Sequence, residues 1–172
     1  MMKTKQPATL LKKLVLGAVL IFLSACVTMF IKESLDTKDP ESALPLLTVT
    51  CGGVPITDVY RAGYEWNFFA TVERRTPQLQ EDDLPLVPVD VRGQADVKLG
   101  FSAQPTELRV LRAQGMHAGE YLELANEDPT SFRTPSVPGV YVYKVLATWR
   151  GRGNIQYYFA LQVKDELAAA GR

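Results

Sequence analysis

The chain has 172 residues, 19 basic against 19 acidic, with 47 % of its residues apolar and 22 % charged. Those proportions exclude a disordered polar chain, and from Leu46 onward 13 basic residues face 15 acidic ones, which excludes the strongly positive face that nucleic-acid binding demands. With two cysteines, Cys26 and Cys51, the first in an apolar run, the remainder must fold by burial without an internal disulfide.

Residues 1–13 form a basic tail in which Lys3, Lys5, Lys12 and Lys13 meet no acid. Leu14 to Ile31 is uncharged over 18 residues and is closed by Lys32. As a helix it spans about 27 Å against a hydrocarbon core of about 30 Å, a gap that flanking lysines close by snorkelling. The positive side stays in the cytoplasm, so the C-terminal part is expected outside the cell membrane. Within the run, Leu23-Ser24-Ala25-Cys26 resembles the lipobox of bacterial lipoproteins, which makes Cys26 a lipidation candidate, with Lys12-Lys13 and Leu14 to Phe22 as the basic and apolar parts of a signal peptide. Against this, Val27 to Ile31 stays apolar where a polar tether normally begins. Residues 14–31 are thus either a transmembrane anchor or a lipoprotein signal, and both readings place the following domain on the same side.

Residues 32–45 read as a charged linker, with Pro40 and Pro45 discouraging helix. Alternation of apolar and polar residues then predicts half-buried strands. Leu46 to Cys51 is the first, followed by a Gly52-Gly53 turn and a return through Val54 to Tyr60, which Pro55 demotes to an edge or a loop. Tyr64, Trp66, Phe68, Ala70 and Val72 share one face of a single expected strand. Thr76 to Pro88 is proline-rich and acidic; Glu81-Asp82-Asp83 lacks the spaced ligands and glycine of a calcium loop and reads as solvated. Further strands are expected in Ala95 to Phe101, Thr106 to Ala113 and Glu120 to Leu124, with a polar loop from there to Pro138-Gly139.

Tyr141, Tyr143, Val145, Ala147 and Trp149 then alternate on one face, Gly151-Arg152-Gly153-Asn154 turns, and Ile155, Tyr157, Phe159, Leu161 and Val163 alternate on the return: a hairpin. Residues 165–172 are a C-terminal tail. Seven or eight strands and turn signals every 8 to 12 residues describe an all-β domain over residues 46–164, an immunoglobulin-like β-sandwich preceded by one N-terminal hydrophobic helix. A Greek-key barrel satisfies the same alternation.

Pro45-Leu-Leu-Thr-Val-Thr-Cys51-Gly52, Gly63-Tyr-Glu-Trp66 and Pro138-Gly-Val-Tyr-Val-Tyr-Lys-Val-Leu-Ala-Thr-Trp149 together resemble small membrane-anchored proteins of Gram-positive Clostridia. The resemblance implies an anchored, β-rich ectodomain and carries no catalytic residues.

No catalytic signature emerges from the residues themselves. His117, the one histidine, stands in Gln114-Gly-Met-His-Ala-Gly119 without a nucleophile elbow, and one histidine with one further cysteine does not make a metal site. Cys51 ends an apolar face and reads as a buried small side chain. The expectation is a non-catalytic accessory module without cofactor or metal, whose partners are the membrane and a protein or cell-wall component. A lipoprotein with a substrate-binding or envelope-maintenance role and an unrecognised hydrolase are the alternatives. Tyr60, Tyr64, Trp66, Trp149 and Tyr158 are candidates for a binding patch, although Trp66 and Trp149 are in phase with the apolar face and read first as core. Arg74, Arg75, Arg150 and Arg152 flank the strands and are candidate contacts for anionic polymer or headgroups.

Overall fold

A computed structural model describes residues 7–68, 71–74, 84–115, 120–125 and 128–165. Its N-terminal unit is a single helix, α1, Pro7–Lys38, with a short second helix, α2, Pro40–Ala43. The 32 residues of α1 make a rod of about 48 Å. Its stretch Leu11–Asp36 is long and apolar enough to cross a membrane, and no residue of its most apolar 18-residue window is buried. Side chains on every side of the rod are exposed, including Leu14 (67 %) and Ile21 (74 %), a pattern shared by membrane anchors and signal sequences.

The helix does not stop where a linker from residue 32 was expected. Lys32 to Lys38 contains neither glycine nor proline, Lys32, Glu33, Leu35 and Lys38 are good helix formers, and Lys38 complements the dipole of the last turn. The chain breaks only before Pro40, which occupies the first turn of α2, where its missing N–H costs nothing.

From Leu44 onward the described residues are all strand and loop. In order these are β1 (Leu47–Cys51), β2 (Val54–Ile56), β3 (Tyr60–Asn67), β4 (Thr71–Arg74), β5 (Val89–Arg92), β6 (Asp96–Phe101), β7 (Glu107–Gln114), β8 (Leu122–Glu123), β9 (Ser131–Arg133), β10 (Gly139–Trp149) and β11 (Gly153–Lys164). They form two sheets. The smaller runs β2-β1-β6-β9; the larger runs β4-β3-β11-β10-β7-β8, with β5 added beside β11. Every pairing is antiparallel except β5 with β11.

The inner faces of the sheets meet through aromatic rings. Phe101 of β6 lies edge-on to Trp149 and Tyr157, at centroid distances of 6.1 and 6.4 Å. Phe132 of β9 stacks on Tyr143 at 5.2 Å, and Tyr143 on Phe159 at 4.9 Å. The hairpin β10–β11 supplies most of this core, since Tyr143, Val145, Ile155, Phe159, Leu161 and Val163 are fully buried.

Three strand assignments differ from the sequence pattern. The expected single strand from Tyr64 to Val72 is a hairpin, with Trp66 opposite Val72 and Asn67 opposite Thr71. This reversal pairs even positions with even positions, so the period-2 signal passes through it unbroken. The short strands β5 and β9 fall in segments rich in proline, serine and threonine, where their few apolar residues do not make a visible alternation.

β11 is longer than β3 and uses both β3 and β5 along one edge: Gly153 to Tyr158 pairs β3, and Leu161 to Lys164 pairs β5. Where β3 departs, the register shifts opposite Gln156 and Tyr157, leaving Ala62 as an extra residue. That bulge reverses the facing of β3. Ala62 therefore joins a second apolar cluster with Leu84, Leu86, Val142, Tyr158 and Ala160, against which Tyr60 and Tyr121 also pack. The segment Leu84 to Val87 thus straps the outer face of the larger sheet, held by a hydrogen bond from the Val87 amide to the Asp58 carboxylate. Five consecutive buried residues in β11, Tyr157 to Leu161, record burial on both faces.

Candidate functional site

The aromatic patch suggested by the sequence does not exist on the surface. Trp66 (6 % exposed) and Trp149 (7 %) pack edge to face at 5.4 Å in the inner core, and the Trp149 indole N–H donates to the Ala103 carbonyl at 3.1 Å. Tyr64 is buried on the same face. Tyr158, on the polar phase of its strand, is 5 % exposed because the Leu84–Val87 strap and Tyr121 cover it, with the Lys144 ammonium over both tyrosine rings. Tyr60 is half-buried against the same cluster.

Of the candidate arginines, Arg152 donates to the Asn67 carbonyl at 3.3 Å and ties the β10–β11 turn to β3. The Arg150 amide donates to Thr106 Oγ1 at 3.0 Å, which is a turn contact of its main chain. Arg74 lies at the end of β4 with its side chain outside the described residues, as are Arg75, His117 and Glu81-Asp82-Asp83. Cys26 is exposed on α1, and the helix runs through it without a break.

What the structure does present is a cleft of about 640 Å³ at one end of the two sheets. One wall is β2, with Val54 (61 % exposed) and Ile56; the other is β5 and the turn into β6, Val89 to Asp96. Cys51 and Gly52 lie between them. The turn Gly93-Gln94 is stiff. Gln94 holds a left-handed backbone, φ 57°, the sole non-glycine residue to do so among the described residues. Such a conformation persists where neighbours over-determine it.

Those neighbours centre on Thr134, which is 1 % exposed. Its hydroxyl donates to the Arg92 carbonyl and accepts from the Ala95 amide, both at 2.9 Å, while its own amide donates to the Ala95 carbonyl at 2.9 Å. A Cβ on Gly93 would stand 3.3 Å from the Pro135 carbonyl, so the loop after Thr134 presses directly on the turn.

The charges at the cleft are mostly neutralised. Asp90 pairs with Lys164 at 3.2 Å and Asp96 with Arg133 at 3.1 Å. Arg92 is exposed and meets no carboxylate among the described residues. Burial pushes the Cys51 thiol up from its ordinary range, and the nearby Asp96 carboxylate adds to the shift. A thiol so held is protonated at neutral pH and a poor nucleophile. No group of three metal-ligating side chains occurs among the described residues. The arrangement is suited to holding a ligand by contact, one cation and open main chain.

The sequence carried little sign of this site. Val89 to Arg92 falls between the proline-rich stretch that ends at Pro88 and the strand expected from Ala95, and the cleft arises because that short strand adds to β11, a pairing of distant segments that local alternation does not reveal. Comparison of the chain with known protein families, with characterised proteins and with solved structures finds no match.

Proposed function

We propose that the chain is a membrane-tethered, non-catalytic binding module whose β-sandwich, of immunoglobulin-like kind, stands outside the cell membrane and engages a partner at the cell surface. The observation that carries the tether is α1: a membrane-length window that is apolar all round and has none of its residues buried. Four lysines and no acid precede its uncharged run Leu14 to Ile31, while Lys32 and Lys38 after that run are outnumbered by Glu33, Asp36, Asp39 and Glu41, which favours an inside N-terminus. The β10–β11 hairpin at the centre of a two-sheet core supports the sandwich. The preformed cleft between β2 and β5, where the exposed Arg92 meets no carboxylate among the described residues, supports binding over chemistry.

A tagged full-length chain, expressed in its bacterial host, tests the tether. Protease added to spheroplasts is expected to remove the β-domain and to spare an N-terminal tag; protection of the β-domain overturns the proposed side.

The exposed Cys26 in Leu23-Ser24-Ala25-Cys26 favours a second reading, a lipoprotein cleaved before that cysteine. Intact mass of the membrane-extracted protein separates the two. An unprocessed N-terminus establishes the spanning helix, and a diacylated Cys26 establishes the lipid anchor. An unbroken helix through Cys26 to Lys38 favours the former.

A further inference from the structure

The two walls of the cleft are strand edges, and their main chains are not equivalent. The loop Gly52-Gly53 has both residues at positive φ, 56° and 82°, the geometry in which the flanking Cys51 and Val54 exchange hydrogen bonds. Alternation then makes Val49 with Ile56 the next bonded pair and turns Pro55, opposite Thr50, away from β1. Proline has no N–H, so β2 offers an incoming strand no donor.

β5 is different. The Arg152 carbonyl accepts from the Asn67 amide at 2.6 Å, so even-numbered residues at the start of β11 turn toward β3. The pairing of β11 with β10 is regular from Gly153 to Val163, which carries that parity to Gln162 and Lys164, where β5 takes over the edge. Those residues bond Val89 and Val91, and Asp90 and Arg92 turn their main-chain groups the other way. The Arg92 carbonyl agrees, since it accepts from Thr134 Oγ1. The N–H and C=O of Asp90 and the N–H of Arg92 thus face the cleft with no protein partner among the described residues.

Deepening the binding-module reading, on which it rests, we infer that the cleft takes an extended peptide with an acidic side chain, added as a strand to the free edge of β5. Its main chain meets Asp90 and Arg92, its carboxylate meets the exposed Arg92 guanidinium, and its apolar side chains lie on Val54 and Ile56. The edge is four residues long, about 13 Å. A cleft of about 640 Å³ holds a segment of that length. Main-chain pairing supplies affinity and the arginine supplies selectivity, as in strand addition generally.

The test uses the full-length chain in detergent micelles and, as probe, an acetylated and amidated hexapeptide of alternating valine and threonine with one central glutamate. Amide NMR is expected to show shifts at Asp90, Arg92 and Val54, and slowed hydrogen exchange at Asp90 and Arg92. Arg92→Glu is expected to weaken binding about tenfold, and a peptide with lysine in place of glutamate to restore it. Asp90→Pro deletes an N–H that the fold does not use and is expected to abolish binding with an unchanged spectrum elsewhere, whereas Asp90→Ala keeps it.

No response at millimolar peptide overturns the inference, as does equal binding of an N-methylated peptide that cannot donate. A dimer lost on Asp90→Pro also overturns it, by assigning the edge to a second copy. A photoreactive residue at position 54, used in cells, separates its failure from that of the broader reading. Cross-linking to a partner without peptide binding sinks strand addition alone, and silence in both sinks the binding module.

Discussion

The Tyr157 hydroxyl donates to the Pro45 carbonyl at 2.6 Å across 112 residues of sequence. Both groups are buried, so this bond fastens the entrance of the β-domain to its most central strand. Tyr157→Phe leaves the Pro45 carbonyl buried without its donor and is expected to destabilise the domain by about 1–3 kcal/mol. Urea denaturation followed by tryptophan fluorescence measures the loss.

The same tyrosine, with Tyr143 and Cys51, sets the alkaline limit of the fold. Burial pushes all three pKa values up, making each group a weaker acid; Arg61 draws Tyr157 back in part, and Arg112 does so for Tyr143. A group that resists ionising in the folded state contributes stability that is whole below its ordinary pKa and disappears as pH rises toward its raised one. The urea midpoint is therefore expected to hold up to about pH 8, to begin falling as the free thiol ionises near 8.5 and to fall more steeply as free phenols ionise near 10. Tyr143→Phe isolates one contribution. The Tyr143 hydroxyl is buried and makes no hydrogen bond of ordinary geometry among the described residues, with Arg112 beside it, so the variant is expected to be about as stable as the parent at pH 7, with a shallower alkaline decline. An unchanged slope refutes the assignment.

The inner core was legible because it follows strict alternation. Tyr141 to Trp149 and Ile155 to Val163 lie where their spacing put them, Cys51 is buried as expected, and Pro55 sits on an edge strand. The outer layer was not legible. Tyr158 and Ala160 look solvent-facing from their phase, and only the distant Leu84–Val87 strap, together with the bulge at Ala62, makes that face a second core. The cleft depends on the same kind of non-local pairing, between Val89–Arg92 and the end of β11, so no local pattern announces it.

Gly153 opens β11 at φ 144°, and a Cβ placed on it would stand 2.0 Å from the Glu65 carbonyl oxygen, an impossible approach to main chain that is itself paired. Gly153→Ala is expected to break the pairing of β3 with β11 at that end and to lower the melting temperature by several degrees or prevent folding. Gly151→Ala, strained at φ 76° but with open space around it, serves as the comparison. A melting temperature for Gly153→Ala no lower than for Gly151→Ala counts against the steric argument.

Leu84 and Leu86 are 8 % and 7 % exposed, and they cover Tyr158, Ala160, Val142 and Ala62 from one side only. Removing either side chain should therefore open the outer layer to water while leaving the inner core closed. Leu86→Ala carries the usual cost of a buried leucine truncation, about 2–5 kcal/mol, with the lower end expected because a strap relaxes more readily than a strand. Binding of an apolar dye should rise, since the uncovered face of β11 and β10 is aromatic and aliphatic. The near-ultraviolet signal of Trp66 and Trp149 should stay intact below the unfolding transition, because their contacts are with each other and with Phe101 on the opposite face. If that tryptophan signal disappears together with the strap, the two layers form one cooperative unit and the sheet needs its outer cover to hold its inner one.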